Sequence, residues 1–168
     1  RGARLDLARL RMETYARPGA LPTVHCAHDV EADLARRDFT VNALALGLTG
    51  SGRDRLVDAF GGLDDLRARR LRVLHPRSFS DDATRLWRGA RTAALFDLRP
   101  DAETRALIAD GVRWLATISG TRLLGELRAT AARGHAGRTL AIARDCGQIV
   151  LVRAALCTTF ALIAAARE

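Results

Sequence analysis

The chain has 168 residues, 48% of them apolar but only 5% aromatic, and a net charge of +8. That is room for one compact domain, or two small ones sharing a helix, around a core of Leu, Ala, Val and Ile. Three cysteines, Cys26, Cys146 and Cys157, lack the even count and close spacing of a disulfide framework or zinc ribbon, and suit a reducing cytoplasm.

The first residues, RGARLDLARL, are charged and carry no apolar segment of the kind a secretory signal needs. The chain opens without Met, as a piece of a longer protein would. Residues 4 to 12 alternate well enough for a strand, with Leu5 and Leu7 against Arg4 and Asp6. YARPGALPTV, with two prolines and a glycine, reads as a loop. HCAH follows in the same loop; His25, Cys26 and His28 crowd too closely there for a closed metal site and read as incidental polar residues. Helix or turn is expected around Leu34, Phe39 and Ala43, then a short strand near residues 44 to 48, a turn at TGSGR and a returning strand in RLVDAF. LDDLRARRL forms a short helix and RVLHP an extended segment stopped by Pro76.

From Ser80 the pattern is helical, with Ser80 or Asp81 as N-cap. One helix is expected over DAETRALIADGVRWLA, another over GTRLLGELRATAARG, and a further pair begins at GRTLAIARDCGQIVLVRAALC. The apolar tail IVLVRAALCTTFALIAAA is interrupted by Arg153, so helix packed on helix is favoured there over a membrane span. The fold class is therefore α+β: a mixed half of about 75 residues, then an all-helical half.

FSDDATRLWRGAR, residues 79 to 91, sets Asp81 and Asp82 ahead of Arg85, Arg88 and Arg91. On a helix each step of three residues turns about 300°, so these side chains fan across one broad face while Leu86, Ala90, Ala93 and Ala94 cover the other. Such spacings also make ordinary surface ion pairs, worth a few tenths of a kcal/mol each, roughly. The functional alternative has specific chemistry. A carboxylate accepts from an exocyclic amine while a guanidinium donates to a ring nitrogen, so an Asp/Arg pair accepts C and A but repels G and U. Further arginines can hold a triphosphate, because guanidinium matches phosphate oxygens two at a time.

A second run, DLARRDFTVNALAL, leads from Arg36, Arg37 and Asp38 into Phe39, Thr40 and Asn42; a polar turn capped by Asp38 or Thr40 would account for it too. Together with LVDAFGGLDDLRARRLRVLHP and FSDDATRLWRGARTAALF, in that order and spacing, it resembles the class II tRNA nucleotidyltransferases, the CCA-adding enzymes, to which bacterial poly(A) polymerases are similar. The likeness runs over roughly residues 4 to 145. It implies the remainder of an α/β nucleotidyltransferase head over residues 1–75, a helical, nucleotide-selecting neck over 76–145 and the start of a helical body at 146–168. It also implies a reaction in which an RNA 3′-hydroxyl attacks the α-phosphate of CTP or ATP and releases pyrophosphate, with Mg²⁺ as cofactor, tRNA or another RNA 3′ end as partner, and the cytoplasm as compartment.

By motif position, Arg37 is expected to contact the nucleotide. Asp82 and Arg85 are expected to read the base edge with support from Asp81, and Arg88 and Arg91 to take the triphosphate and ribose. Asn42 either contacts the nucleotide or holds the motif loop. The family's metal site, a Gly-Gly loop and a strand with two aspartates one residue apart, has no counterpart: LDLARL offers Asp6 alone. Mg²⁺ would accordingly be held upstream of these residues, and the chain by itself is expected to be inactive. Glu13 is the one candidate for an auxiliary carboxylate, against a strand-edge ion pair with Arg11. Ala59 in DAFGG, and Thr92 and Leu95 in RTAALF, also depart from the family pattern. Arg122, Arg128, Arg133 and Arg138 form a basic helical region, either solvated surface or a contact for RNA backbone. A non-catalytic RNA- or nucleotide-binding module derived from the same fold is the rival reading.

Overall fold

The computed structural model describes residues 6–132 and 134–147. Its first strand is not where alternation put it. β1 (Arg11–Thr14) pairs antiparallel with β2 (Thr23–Cys26), Arg11 facing Cys26, and residues 6–10 form no strand. The ladder ends with the Ala27 amide donating to the Leu10 carbonyl at 3.1 Å, and Asp29 then caps a helix, so the second strand extends no further. The ribbon covers no apolar core: every residue of β2 is exposed, Leu7 before it is 97% exposed, and the one partly buried position of β1 is the polar Glu13. His25 and Cys26 lie on β2 rather than in a loop, where neighbouring side chains point to opposite faces. His25 Nε2 lies 3.3 Å from the Thr14 hydroxyl, and Cys26 is exposed.

α1 (Val30–Ala35) starts at Asp29, whose carboxylate accepts from the Ala32 amide at 2.7 Å. After a 3₁₀ turn over Thr40–Asn42, β3 (Ala45–Leu46) and β4 (Leu56–Val57) form the expected hairpin around Gly50–Gly52. α2 (Gly62–Arg67) follows, and its Asp65, fully buried, accepts from the Thr40 hydroxyl at 2.6 Å, Arg70 at 2.5 Å and Arg72 at 2.9 Å. β5 (Arg70–Leu71) then runs parallel to β6 (Arg99–Pro100), a strand that lies beyond the helix expected to follow.

The helical half also begins differently. Ser78–Asp81 is a separate turn, α3; the chain extends at Asp82 (φ −145, ψ 98), and α4 (Thr84–Phe96) starts after it. Asp82, not Ser80 or Asp81, supplies the cap, its Oδ1 accepting from the Thr84 amide at 3.0 Å and the Thr84 hydroxyl at 2.6 Å. α4 buries Leu86, Trp87, Ala90, Ala93 and Ala94, and the three alanines let later helices lie close. At Gly89 there is no room for a side chain: a Cβ would stand 2.7 Å from Phe39 Cζ. The ring of Phe39 therefore packs directly on the α4 backbone and ties the RRDFT run to the arginine helix.

α5 (Ala102–Gly111), capped by Asp101, gives way to a 3₁₀ turn over Val112–Thr117 instead of continuing as one helix. Gly111 sits against Phe79, where a Cβ would come within 2.9 Å. α6 (Gly120–Ala131) and α7 (Ala136–Asp145) then pack across α4. One core results, joining Phe39, Leu71 and Val73 from the first half to Phe79, Trp87, Ile108, Leu123 and Ala143 from the second. The apolar tail and Cys157 lie outside the described residues; among those described, no helix is long and apolar enough to cross a membrane.

Acid should loosen this fold through Asp33. Burial pushes its carboxyl up, but Arg37, Arg36 and the Arg11 amide, all at 2.8–3.0 Å, outweigh that and hold it at about 2. A depressed carboxyl stabilises the fold fully above its unfolded pKa and ceases to as pH falls through the folded value. The contribution, about 2 kcal/mol, should therefore disappear between pH 4 and 2, roughly. Urea unfolding at pH 7, 4 and 2 should show a drop in midpoint that Asp33→Asn flattens; equal drops in both proteins would refute the assignment.

Candidate functional site

Two local structures bring their side chains to one cleft of about 480 Å³. The turn after α1 delivers Arg37, Asp38 and Asn42; the start of α4 delivers Asp82, Arg85 and Arg88. β1 closes one side with Glu13 and, just beyond it, Tyr15, while α6 contributes Arg122. The expected meeting of Arg37 with Asp82 and Arg85 across a cleft is thus present in the structure.

Asp82 and Arg85 lie deep, 7% and 2% exposed. Burial pushes the Asp82 carboxyl up, but the Thr84 hydroxyl and amide, Arg88 and Arg122 together hold it below the usual carboxylate range, so it stands as an anion at neutral pH. Arg85 donates to the Arg36 carbonyl at 2.9 Å and the Ser78 hydroxyl at 3.0 Å, and lies 3.3 Å from His75 Nε2. Its Nε–H is buried with no partner among the described residues. An unsatisfied buried donor costs about 1–3 kcal/mol. Tyr15 stacks on the guanidinium at 5.9 Å, and burial lifts its hydroxyl to about 12, keeping it protonated. His75 is pushed down by burial and by Arg85 and stays neutral, able to accept from that guanidinium.

Arg88 bonds Asp38 Oδ2 at 2.9 Å and stands 3.5 Å from Asp82 Oδ2. Burial alone would lower its pKa; Asp38 and Asp82 raise it instead. Asn42 donates to Asp38 Oδ1 at 2.9 Å, so it holds the motif turn and also lines the cleft. Arg37, with its side chain 43% exposed and one contact to Asp33, is an available cation at the mouth.

Two expected members stand apart. Arg91 is paired with Glu126 and faces a neighbouring cleft of about 510 Å³, next to Phe96 and His135, which shares Asp38, Asn42 and Arg88 with the first. Two steps of three residues carry it about 120° around α4 from Arg85, which takes it round the corner. Asp81, at the end of α3, opens toward a third cleft beside His75 and Arg77. Glu13 is committed internally: Arg36 donates at 2.9 Å, Tyr15 at 2.9 Å, and the foreseen pair with Arg11 forms at 3.1 Å.

Sequence reasoning missed Arg122 as a partner of Asp82, at 2.8 Å, and Glu126 as the partner of Arg91. Their one signal was an Arg–Glu spacing of four on α6, which by itself reads as a solvated helix face. Mg²⁺ finds no fit: among the described residues no group of three or more His, Cys, Asp or Glu side chains could hold a metal ion.

Residues 1–72 match the family model of the Poly A polymerase head domain. An A-adding tRNA nucleotidyltransferase of Halalkalibacterium halodurans is 42% identical over 129 residues, 74% of this chain and 30% of the relative. A CC-adding tRNA nucleotidyltransferase of Deinococcus radiodurans is 46% identical over 146 residues, 83% of this chain and 37% of the relative. The chain thus spans about a third of these relatives' length. Among solved structures, an apo CCA-adding enzyme superposes with a TM-score of 0.79 at 33% identity, covering 84% of this chain and 34% of the other. A tRNA nucleotidyltransferase complexed with a primer tRNA and an incoming ATP analog gives 0.68 at 34% identity, covering 73% and 36%.

Proposed function

Because the chain belongs to the tRNA nucleotidyltransferase and poly(A) polymerase family, we propose that it carries the nucleotide-choosing part of a template-independent transferase adding C and/or A to RNA 3′ ends, with tRNA as the substrate class. The observation that carries this reading is the cleft in which a buried carboxylate and a buried guanidinium stand together, Asp82 beside Arg85. Asp82 accepts from the amine of C or A; the second Nη2 hydrogen of Arg85 donates to the adjacent ring nitrogen. G and U would turn a carbonyl toward the carboxylate, two acceptors face to face in a site of low dielectric, and are rejected.

Arg37 and Arg88 take phosphate and ribose oxygens, with Asn42 keeping the turn in place. Arg91 reaches the same ligand only from the adjoining cleft, and Asp81 supports the turn from behind. Residues 1–75 act as head and 76–145 as the selecting neck, in the cytoplasm. Mg²⁺ would supply charge neutralisation for the transferred phosphate; the described residues offer it no ligand set, and base reading by Asp82 and Arg85 proceeds without it.

Titrating the chain with CTP, ATP, GTP and UTP by calorimetry tests the reading. CTP or ATP, or both, should bind about tenfold more tightly than GTP and UTP. Equal affinities for all four would reject it.

A further inference from the structure

The two oxygens of Asp82 are not equivalent. Oδ1 receives three donors: the Thr84 amide at 3.0 Å, the Thr84 hydroxyl at 2.6 Å and Arg122 Nη2 at 2.8 Å. For Oδ2 the nearest partner among the described residues is Arg88 Nη2, at 3.5 Å, beyond a good hydrogen bond. A carboxylate oxygen has about two lone-pair directions, so Oδ1 is full and Oδ2 is not.

We infer that Arg122 is a positioning residue for base choice: it saturates Oδ1 of Asp82 from across the cleft and leaves Oδ2 as the acceptor presented to an amino-bearing base. This rests on the proposed base reading by Asp82 and deepens it. Thr84 is a neighbour in sequence and fixes Oδ1 only from the helix side. Arg122 comes from α6, forty residues on, and alone brings a full charge to that oxygen. Without it Oδ1 is held by Thr84 alone, from the helix side, and has no cationic partner reaching it across the cleft. The carboxylate is then free to tilt about that one anchor, and the geometry that presents Oδ2 and excludes a carbonyl is relaxed.

The same helix face carries Glu126 one turn later, paired with Arg91 of α4, and Leu123 in the core between them. α6 is therefore anchored on α4 at a second point and by apolar packing. Shortening Arg122, whose side chain is 28% exposed, should leave the fold in place.

The test uses the whole chain and four nucleotides, with thermal unfolding measured alongside. In Arg122→Ala the preference for the favoured amino base over UTP should fall about tenfold, chiefly because UTP gains relative affinity, and Arg122→Lys should restore most of it. Equal weakening toward all four nucleotides would assign Arg122 a merely structural role and overturn the inference. Tighter CTP or ATP binding in the alanine variant would overturn it too, by making Arg122 a competitor for the amine's place. An unchanged preference in Arg122→Ala sinks this inference alone, whereas no preference in the unaltered chain sinks the base reading and this inference with it.

Discussion

Asp82→Ala and Arg85→Met should each bring UTP close to CTP in affinity, a loss of discrimination on the order of 10- to 100-fold. The size follows from what each residue supplies. A base held by one acceptor and one donor loses about 1–3 kcal/mol of discrimination when either is removed. Part of that loss is relief for the wrong base, since without the carboxylate a uracil carbonyl meets no opposed acceptor. Methionine is the better replacement for Arg85, because the side chain is 2% exposed and alanine would also leave a cavity beneath Tyr15 and His75. Comparing the four nucleotides cancels any general weakening. If both variants kept the preference of the unaltered chain, base selection would have to lie elsewhere in the cleft.

Phe39→Ala should destabilise the chain by about 3–5 kcal/mol, read as the shift in urea midpoint at constant slope. The ring is fully buried, packs on the bare backbone of Gly89, and stands 6.3 Å from the Phe79 ring. Around it Asp38 bonds Arg88 and the Arg36 carbonyl takes Arg85, so the loss falls on the seam between the two halves of the molecule. Phe39→Leu fills most of the space and should cost less than half as much. A small effect from the alanine change would mean that the seam is held by its polar contacts instead of by this ring.

These two variants mark different kinds of information. Asp82, Arg85 and Arg88 were legible as a set because helix geometry puts residues three apart on neighbouring lines, and because their chemistry suits an amino-bearing base. The hairpin over residues 45–57 and the helices over residues 102–111 and 120–131 were legible for the same local reason: turn residues and apolar spacing act within a few positions. The ribbon at Arg11–Thr14 was misplaced because alternation predicts an apolar buried face, and this ribbon turns inward only the polar Glu13. The break at Asp82 was missed because Ser80, Asp81 and Asp82 are all competent caps, and only the seat of Thr84 decides among them.

Sequence by itself determined the hairpin, most of the helices and the arginine fan, since each depends on spacing along one stretch of chain. Tertiary structure alone decided which members of that fan share a cleft. It turned Arg91 toward Glu126, spent Glu13 on Arg36 and Tyr15, and brought Arg122 onto Asp82 from forty residues away. The physical reason is that a charged side chain takes the partner that burial places beside it, and burial is set by how the helices pack, which no local spacing encodes.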